Sequence, residues 1–363
     1  MSVHPAAPGV AAPRVVAFGE LMLRLSPPGA ERLFQSPTLR TWWGGAEANV
    51  AAGLASLGTT SAFVSALPES PVGEAALAAL RADGVDVSHV RRTAGRMGLY
   101  FVEPGADLRA MRVVYDRAGS AFSQVDAGSV DWPAALAGAA WLHVTGITAA
   151  LSDGAAACAL AAVRAARAAG VQVSVDLNWR PALWAGRDPR PVMRPLVEGA
   201  DLLVGNAPAV QAMLGVGAGD VPLAQDARPL ATAVADATGA TQVALTRREH
   251  LSATEHGWSA ARYDAASGAF AASRRYQVRL VDRVGGGDSF VAALLHATLA
   301  GRAFDAALAF AVAASALKLT IPGDANRVTA AEVDALLAAE PSAAEPSARA
   351  NAAPAPRRTG VPA

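Results

Sequence analysis

Asp282-Arg283-Val284-Gly285-Gly286-Gly287-Asp288-Ser289-Phe290 stands between a β-rich run at 276–281 and a helical run at 289–299. Three consecutive glycines let a backbone approach a ligand closely, and amides at a helix N-terminus favour an anion. An aspartate beside such an anion site can accept the proton of a hydroxyl that attacks a phosphoryl group. The same residues also read as a tight turn whose aspartate caps the next helix. The run decides nothing by itself, and its meaning has to come from the rest of the chain.

Working outward, short apolar runs alternate with longer Ala/Leu-rich stretches from Arg14 onward. Runs at 15–19, 62–66, 141–145, 171–176, 201–205 and 242–246 have the length and composition of buried strands. Helical patterns occupy 46–57, 72–82, 153–169 and 288–300. This rhythm predicts an α/β fold with a mostly parallel sheet covered by helices. Segments 98–102 and 111–116 break it and predict an antiparallel pair, a flap outside the main sheet. The Ala/Pro-rich ends, 1–13 and 339–363, are expected to be disordered tails around one domain at 14–338.

The 363 residues carry no formal net charge and are 52% hydrophobic, which fits a globular enzyme and removes the electrostatic case for nucleic-acid or anionic-membrane partners. Lys318 is the sole lysine, so a Walker A lysine and a Schiff-base lysine elsewhere are both excluded. The single cysteine, Cys158, cannot form an internal disulfide and reads as a small buried residue. The start lacks a signal-peptide pattern and the longest apolar stretch, 306–317, is too short to span a bilayer, so a cytoplasmic protein is expected. His143, inside a predicted strand, reads as a core residue rather than a metal ligand.

The glycine run resembles the C-terminal signature of the ribokinase-like (PfkB) carbohydrate kinases, Asp-Thr-x-Gly-Ala-Gly-Asp. Gly44-Gly45-Ala46-Glu47-Ala48-Asn49 resembles the N-terminal signature of the same family. The resemblance covers about 15–337 and implies a three-layer α/β/α ribokinase-like fold with a small β-strand lid near 20–26, 97–103 and 110–117. Within the family the chain is most similar to the 2-keto-3-deoxygluconate kinases. That similarity rests on the runs 19–25, 115–121 and 321–326, and on Asp176-Leu177-Asn178-Trp179-Arg180-Pro181 with Leu183 and Trp184.

The resemblance implies ATP and Mg2+ as cofactors, Asp288 as catalytic base, and Gly285, Gly286 and Gly287 as amides at the transferred phosphoryl group. It assigns the sugar to Gly44, Gly45, Asn49, Tyr100, Tyr115, Arg117, Arg180, Asp288 and Asp324. ATP falls to Asn178, Arg180, Asn206, Thr246, Arg247 and the three glycines, with Arg248 as a further neighbour. Arg117 and Arg180 also suit the carboxylate of a sugar acid, which a neutral hexose lacks. A homodimer through the lid is expected by the same analogy.

Two departures stand out. The family's Asn-x-x-Glu, which organises magnesium, is Asn206-Ala207-Pro208-Ala209 here, and Thr-x-Gly-Ala is Arg283-Val284-Gly285-Gly286. The first leaves weaker metal dependence, a substitute ligand and impaired activity all open, and no metal ligand is assigned. Kinases of other sugars such as fructose, and a non-catalytic sugar-acid binding protein on the same scaffold, are the rival readings.

Overall fold

The computed structural model describes residues 13–217 and 224–339. Nearly all of the two expected tails therefore lies outside the described residues; Ala339 closes a helix, Ala330–Ala339.

Along the chain the strands are β1 (Arg14–Phe18), β2 (Met22–Ser26), β3 (Arg40–Gly44), β4 (Thr60–Pro68), β5 (Val90–Thr93), β6 (Gly98–Glu103) and β7 (Arg112–Asp116). They continue as β8 (Ala139–Thr145), β9 (Gln172–Asp176), β10 (Leu202–Gly205), β11 (Gln242–Ser252), β12 (Glu255–Asp264), β13 (Phe270–Ala272) and β14 (Tyr276–Arg279). The main sheet runs β13-β12-β11-β10-β9-β8-β1-β4-β5, with β14 paired to β12. Every neighbour from β11 to β5 is parallel, as the strand–helix rhythm predicts.

Buried strands alternate their side chains between two cores. Val16, Leu142, Leu203 and Val243 pack toward the helix Asp153–Ala168 and its neighbours. Val15, Trp141, Leu202 and Ala244 face the helices Ala46–Leu57, Gly286–Leu299 and Phe304–Lys318. The result is the expected three-layer α/β/α arrangement with a mostly parallel central sheet. Cys158 is free and His143 is wholly enclosed, its Nδ1 3.1 Å from Ser174 Oγ. No helix among the described residues is long and apolar enough to cross a membrane.

Three expectations need correction. The run expected to end at 246 continues as strand to Ser252, because the two residues after it turn the chain back into β12, which pairs along its length. The basic residues at 247 and 248 therefore lie within this strand. The lid has four strands in the order β3-β2-β6-β7, and β3 was not anticipated because Arg40-Thr41-Trp42-Trp43-Gly44 shows no clean alternation. The helix after the glycine run begins at Gly286 and not at 288 or 289, since Gly285 takes the left-handed cap with φ 79°.

Arg24 joins the lid to the body. Its Nη1 lies 2.7 Å from Asp282 Oδ2 and 2.7 Å from Asp324 Oδ2, its Nε donates to Ser26 Oγ at 3.0 Å, and all three charged groups are nearly enclosed. Burial disfavours its charge, but the two carboxylates outweigh that and raise its pKa. Asp282 Oδ2 also accepts from Gly323 N at 3.1 Å, and the buried Lys318 ammonium donates to Gly323 O at 2.7 Å. One ion cluster thus ties β2, the start of the glycine run and the 321–326 loop together. Removing one partner of a buried pair costs about 3–5 kcal/mol, because the other charge is left unpaired. Arg24→Met should lower unfolding free energy by about that amount in chemical denaturation, and a loss below about 1 kcal/mol, the scale of a surface pair, would contradict the cluster's role.

Candidate active site

Chain order reverses between β8 and β1, since β1 has β4 on one side and β8 on the other. In open α/β sheets the crevice beyond the carboxyl ends of strands at such a point receives ligands. A cleft of about 950 Å³ opens there. Glu20 follows β1, Ile147 follows β8, Asp176, Asn178 and Arg180 follow or end β9, and Asn206 follows β10; all line it. The lid covers one end with Met22, Tyr100, Val102, Val113, Tyr115 and Arg117.

On the other wall, the helix Gly286–Leu299 points its N-terminus into the cleft. Gly285 caps it with no side-chain hydrogen bond, so the first-turn amides have no intrahelical partner. A Cβ on Gly285 would overlap Asp324 O, which with its positive φ demands glycine. Asp288 therefore does not cap this helix. It sits inside the first turn, its Oδ2 accepting from Asn49 Nδ2 at 2.7 Å. Asn49 belongs to the helix Ala46–Leu57, whose cap, Gly45, has no room for a side chain against Glu20 O. Both signature motifs thus converge on one carboxylate.

Burial raises the Asp288 pKa to about 6, and the Asn49 hydrogen bond and the charge of Arg180 hold it from rising further. Asp176 is pushed up to about 7, by burial first and by the Asp288 charge second. At neutral pH Asp288 is mostly a carboxylate close to its proton-accepting optimum.

Of the residues singled out from the sequence, Gly45, Asn49, Tyr100, Tyr115, Arg117, Asn178, Arg180, Asn206, Thr246, Arg247, Gly285, Gly286, Gly287, Asp288 and Asp324 all line the cleft. Gly44 does not. It backs onto Tyr100 and Asp324, where any Cβ would collide with both. Asp324 has little freedom to meet a ligand, since Tyr100 Oη donates to its Oδ1 and Arg24 holds its Oδ2. Arg117 donates through Nε (2.8 Å) and Nη2 to Glu20, which leaves its Nη1 edge for anything else. Tyr115 stacks on Tyr100 at 5.9 Å and lies under the Arg117 guanidinium at 5.6 Å. Arg247 is ion-paired with Glu249.

Reading the sequence missed Arg283, Glu20, His250, His256 and Trp258 as cleft residues. Arg283 carried a signal, a cation two residues before a glycine run, whereas the others depend on which strand face meets the cleft. Glu47, within the N-terminal motif, lines the cleft but is buried, and its Oε1 accepts from Thr145 Oγ1 and Thr148 Oγ1 at 2.7 Å each, which braces the helix.

The residues present build no ready-made all-protein cage for a metal, and the carboxylates that share the cleft near the glycine run are Asp176 and Asp288. No group of three or more His, Cys, Asp or Glu side chains clusters among the described residues. Asn206 Oδ1 is used to cap the helix Ala207–Leu214 at Ala209 N, 2.9 Å away, and position 209 is a buried alanine.

The model of the pfkB family carbohydrate kinases matches residues 12–331. The chain belongs to this family. It is 34% identical over 325 residues to a 2-dehydro-3-deoxygalactonokinase of Haloferax volcanii, covering 89% of this chain and 96% of that one. The crystal structure of a 2-dehydro-3-deoxygluconokinase from Thermotoga maritima superposes with a TM-score of 0.87 at 40% identity, covering 90% of this chain and 99% of that one. A PfkB family carbohydrate kinase from Listeria grayi gives 0.83 at 31%, over 90% and 99% of the two chains. The protein is a carbohydrate kinase, and its fold is the ribokinase-like one expected from the two motifs.

In this kinase Asn49 stabilises the charged form of Asp288, so deleting that donor raises the carboxyl pKa. A carbon-13 NMR titration should place the Asp288 midpoint near 6, and Asn49→Ala should move it upward. An unmoved midpoint would show that Asn49 does not tune the group.

Proposed function

We propose that the protein transfers the terminal phosphoryl group of ATP to the primary hydroxyl of 2-keto-3-deoxygluconate, giving the 6-phospho sugar acid. The observation that carries this reading is the Asn49–Asp288 pair set beside the uncapped N-terminus of the helix Gly286–Leu299. Asp288 takes the hydroxyl proton as the new O–P bond forms and the bond to the leaving ADP oxygen breaks. The amides of Gly285, Gly286 and Gly287 receive the charge that spreads over the transferred oxygens. Asn178, Asn206, Thr246 and Arg247 are assigned to the nucleotide side. Magnesium is assigned to the phosphates of ATP, arriving with the nucleotide rather than on side chains of this chain.

The sugar is assigned to the lid end. Tyr100, Tyr115 and the free edge of Arg117 line it, and a carboxylate there meets a guanidinium whose other edge is already held by Glu20. Arg180 lies between sugar and phosphate, close enough to influence Asp288. Lid closure over the sugar excludes water, which competes as a phosphoryl acceptor. The galactonate epimer is the second reading, supported by the similarity to the Haloferax volcanii enzyme. Fructose is disfavoured because it offers no carboxylate to Arg117.

An ATP-coupled assay on 2-keto-3-deoxygluconate, its galactonate epimer and fructose should show turnover of the gluconate, and phosphorylation of fructose alone would reject the sugar-acid assignment. Asp288→Asn should retain sugar binding while kcat falls about 10²–10⁴-fold, the range for losing a general base. Unchanged kcat would remove Asp288 from that role.

The reading extends to location and assembly. A lone, fully buried cysteine and an ATP-dependent reaction fit the cytoplasm. Phe34 (70% exposed) and Val114 (38%) leave apolar surface on the lid side, and we assign it to a second copy of the chain. Sedimentation velocity should give a dimer, and a monomer throughout the micromolar range would reject this.

A further inference from the structure

We propose that Arg180, Arg248 and Arg283 form a polyphosphate cradle that compensates the charge of the nucleotide directly, so that metal-free ATP binds this protein nearly as well as its magnesium complex. The proposal rests on the kinase reading of the same cleft and concerns only its donor end.

The three arginines come from separate segments: the loop after β9, the strand β11 and the loop between β14 and the helix Gly286–Leu299. All three line the cleft. Elsewhere in the protein guanidinium groups are mostly committed, as Arg24 is to Asp282 and Asp324, Arg117 to Glu20, Arg247 and Arg275 to Glu249, and Arg302 to Asp334. Among the described residues, no carboxylate lies within 4.0 Å of Arg180, Arg248 or Arg283. Arg180 makes one hydrogen bond, to its neighbour Trp179 O at 3.2 Å.

Grouping three cations in a concave site is unfavourable unless an anion fills it. The mutual effect is visible in their titration: burial, then Arg283 and Arg180, lower Arg248 to about 10, and burial and Arg180 lower Arg283 against the pull of Asp282. The three are close enough to act on one another, and Arg180 also acts on Asp288. Arg283 stands two residues before Gly285, and Arg248 pairs in register with Trp258 on the neighbouring strand. A guanidinium matches phosphate with paired N–H donors, so three grouped in the cleft that also holds Asp288 suit a polyphosphate.

The cleft as a whole offers few uncommitted carboxylates. Of its carboxylates, Glu20 and Asp324 are held by Arg117 and by Arg24 with Tyr100, Glu47 Oε1 accepts from two threonines, and Asp288 is bonded to Asn49. Asp176 accepts from Asn178 N at 2.9 Å. With alanine at 209 and arginine at 248 and 283, positive charge is carried by the protein itself in place of positive charge recruited from solution.

Calorimetric titration of ATP into the full-length protein, once with magnesium and once with EDTA, tests this. Wild type should bind ATP in EDTA within about threefold of its affinity with magnesium. Each charge-assisted contact is worth about tenfold, so Arg248→Ser with Arg283→Ser should weaken binding in EDTA about 100-fold and binding with magnesium much less. Arg248→Lys with Arg283→Lys, which keeps the charge, should recover part of the loss, and circular dichroism checks that each variant folds. Wild type that binds ATP only with magnesium, or a double serine variant with unchanged affinity in EDTA, overturns the cradle and leaves the kinase reading standing. No binding of ATP under either condition overturns the kinase reading itself.

Discussion

The buried pairing of Arg24 with Asp282 and Asp324 is the constraint on which the site depends. Arg24 lies on a lid strand, Asp282 opens the glycine run and Asp324 belongs to the loop after the helix Phe304–Lys318. Three segments far apart in sequence are brought together by one guanidinium, and each has its own stake in the cleft. Asp324 positions Tyr100 at the lid end, its backbone oxygen forces glycine at 285, and Asp282 Oδ1 accepts from Val284 N at 3.1 Å just before the helix begins. Buried charge is a costly way to hold a structure together, but it tolerates few alternative arrangements, which is what a site with fixed geometry needs.

Charge in the cleft is divided by the same logic. At the lid end a positive group is balanced by a negative one, Arg117 against Glu20, so little net field remains there. Elsewhere in the cleft Arg180, Arg248 and Arg283 act on one another, and among the described residues none has a carboxylate within ion-pair distance. The cleft also holds Asp288, kept in a charged form by Asn49 and Arg180 against the pull of burial. A carboxylate placed to accept a proton and a group of cations that tolerates added negative charge fit complementary demands of phosphoryl transfer.

How far the sequence could be read varies by element. Strands buried on both faces, such as Val15-Val16-Ala17-Phe18, declare themselves because each residue must be apolar. The glycine run and the Gly44–Asn49 motif were legible because their spacing is set by local backbone geometry. The strand β3 and the extension of β11 were not, since both are partly exposed and are strands only because a partner lies beside them. Arg247 and Arg248 look alike in sequence. On adjacent strand positions they turn to different neighbours, and Arg247 meets Glu249 while Arg248 does not.

The sequence by itself determined the α/β class, the two convergent motifs, the aspartate at their meeting point and the loss of an acid at position 209, because each is a matter of composition and short-range order. Only the tertiary structure decided that Asp288 is held by Asn49 instead of capping its helix, that Asp324 and Arg117 are already engaged, that Gly44 stands behind the cleft wall, and that three arginines share one space. Those facts depend on distances between residues up to 300 positions apart, which follow from the packing of the layers and not from any local pattern.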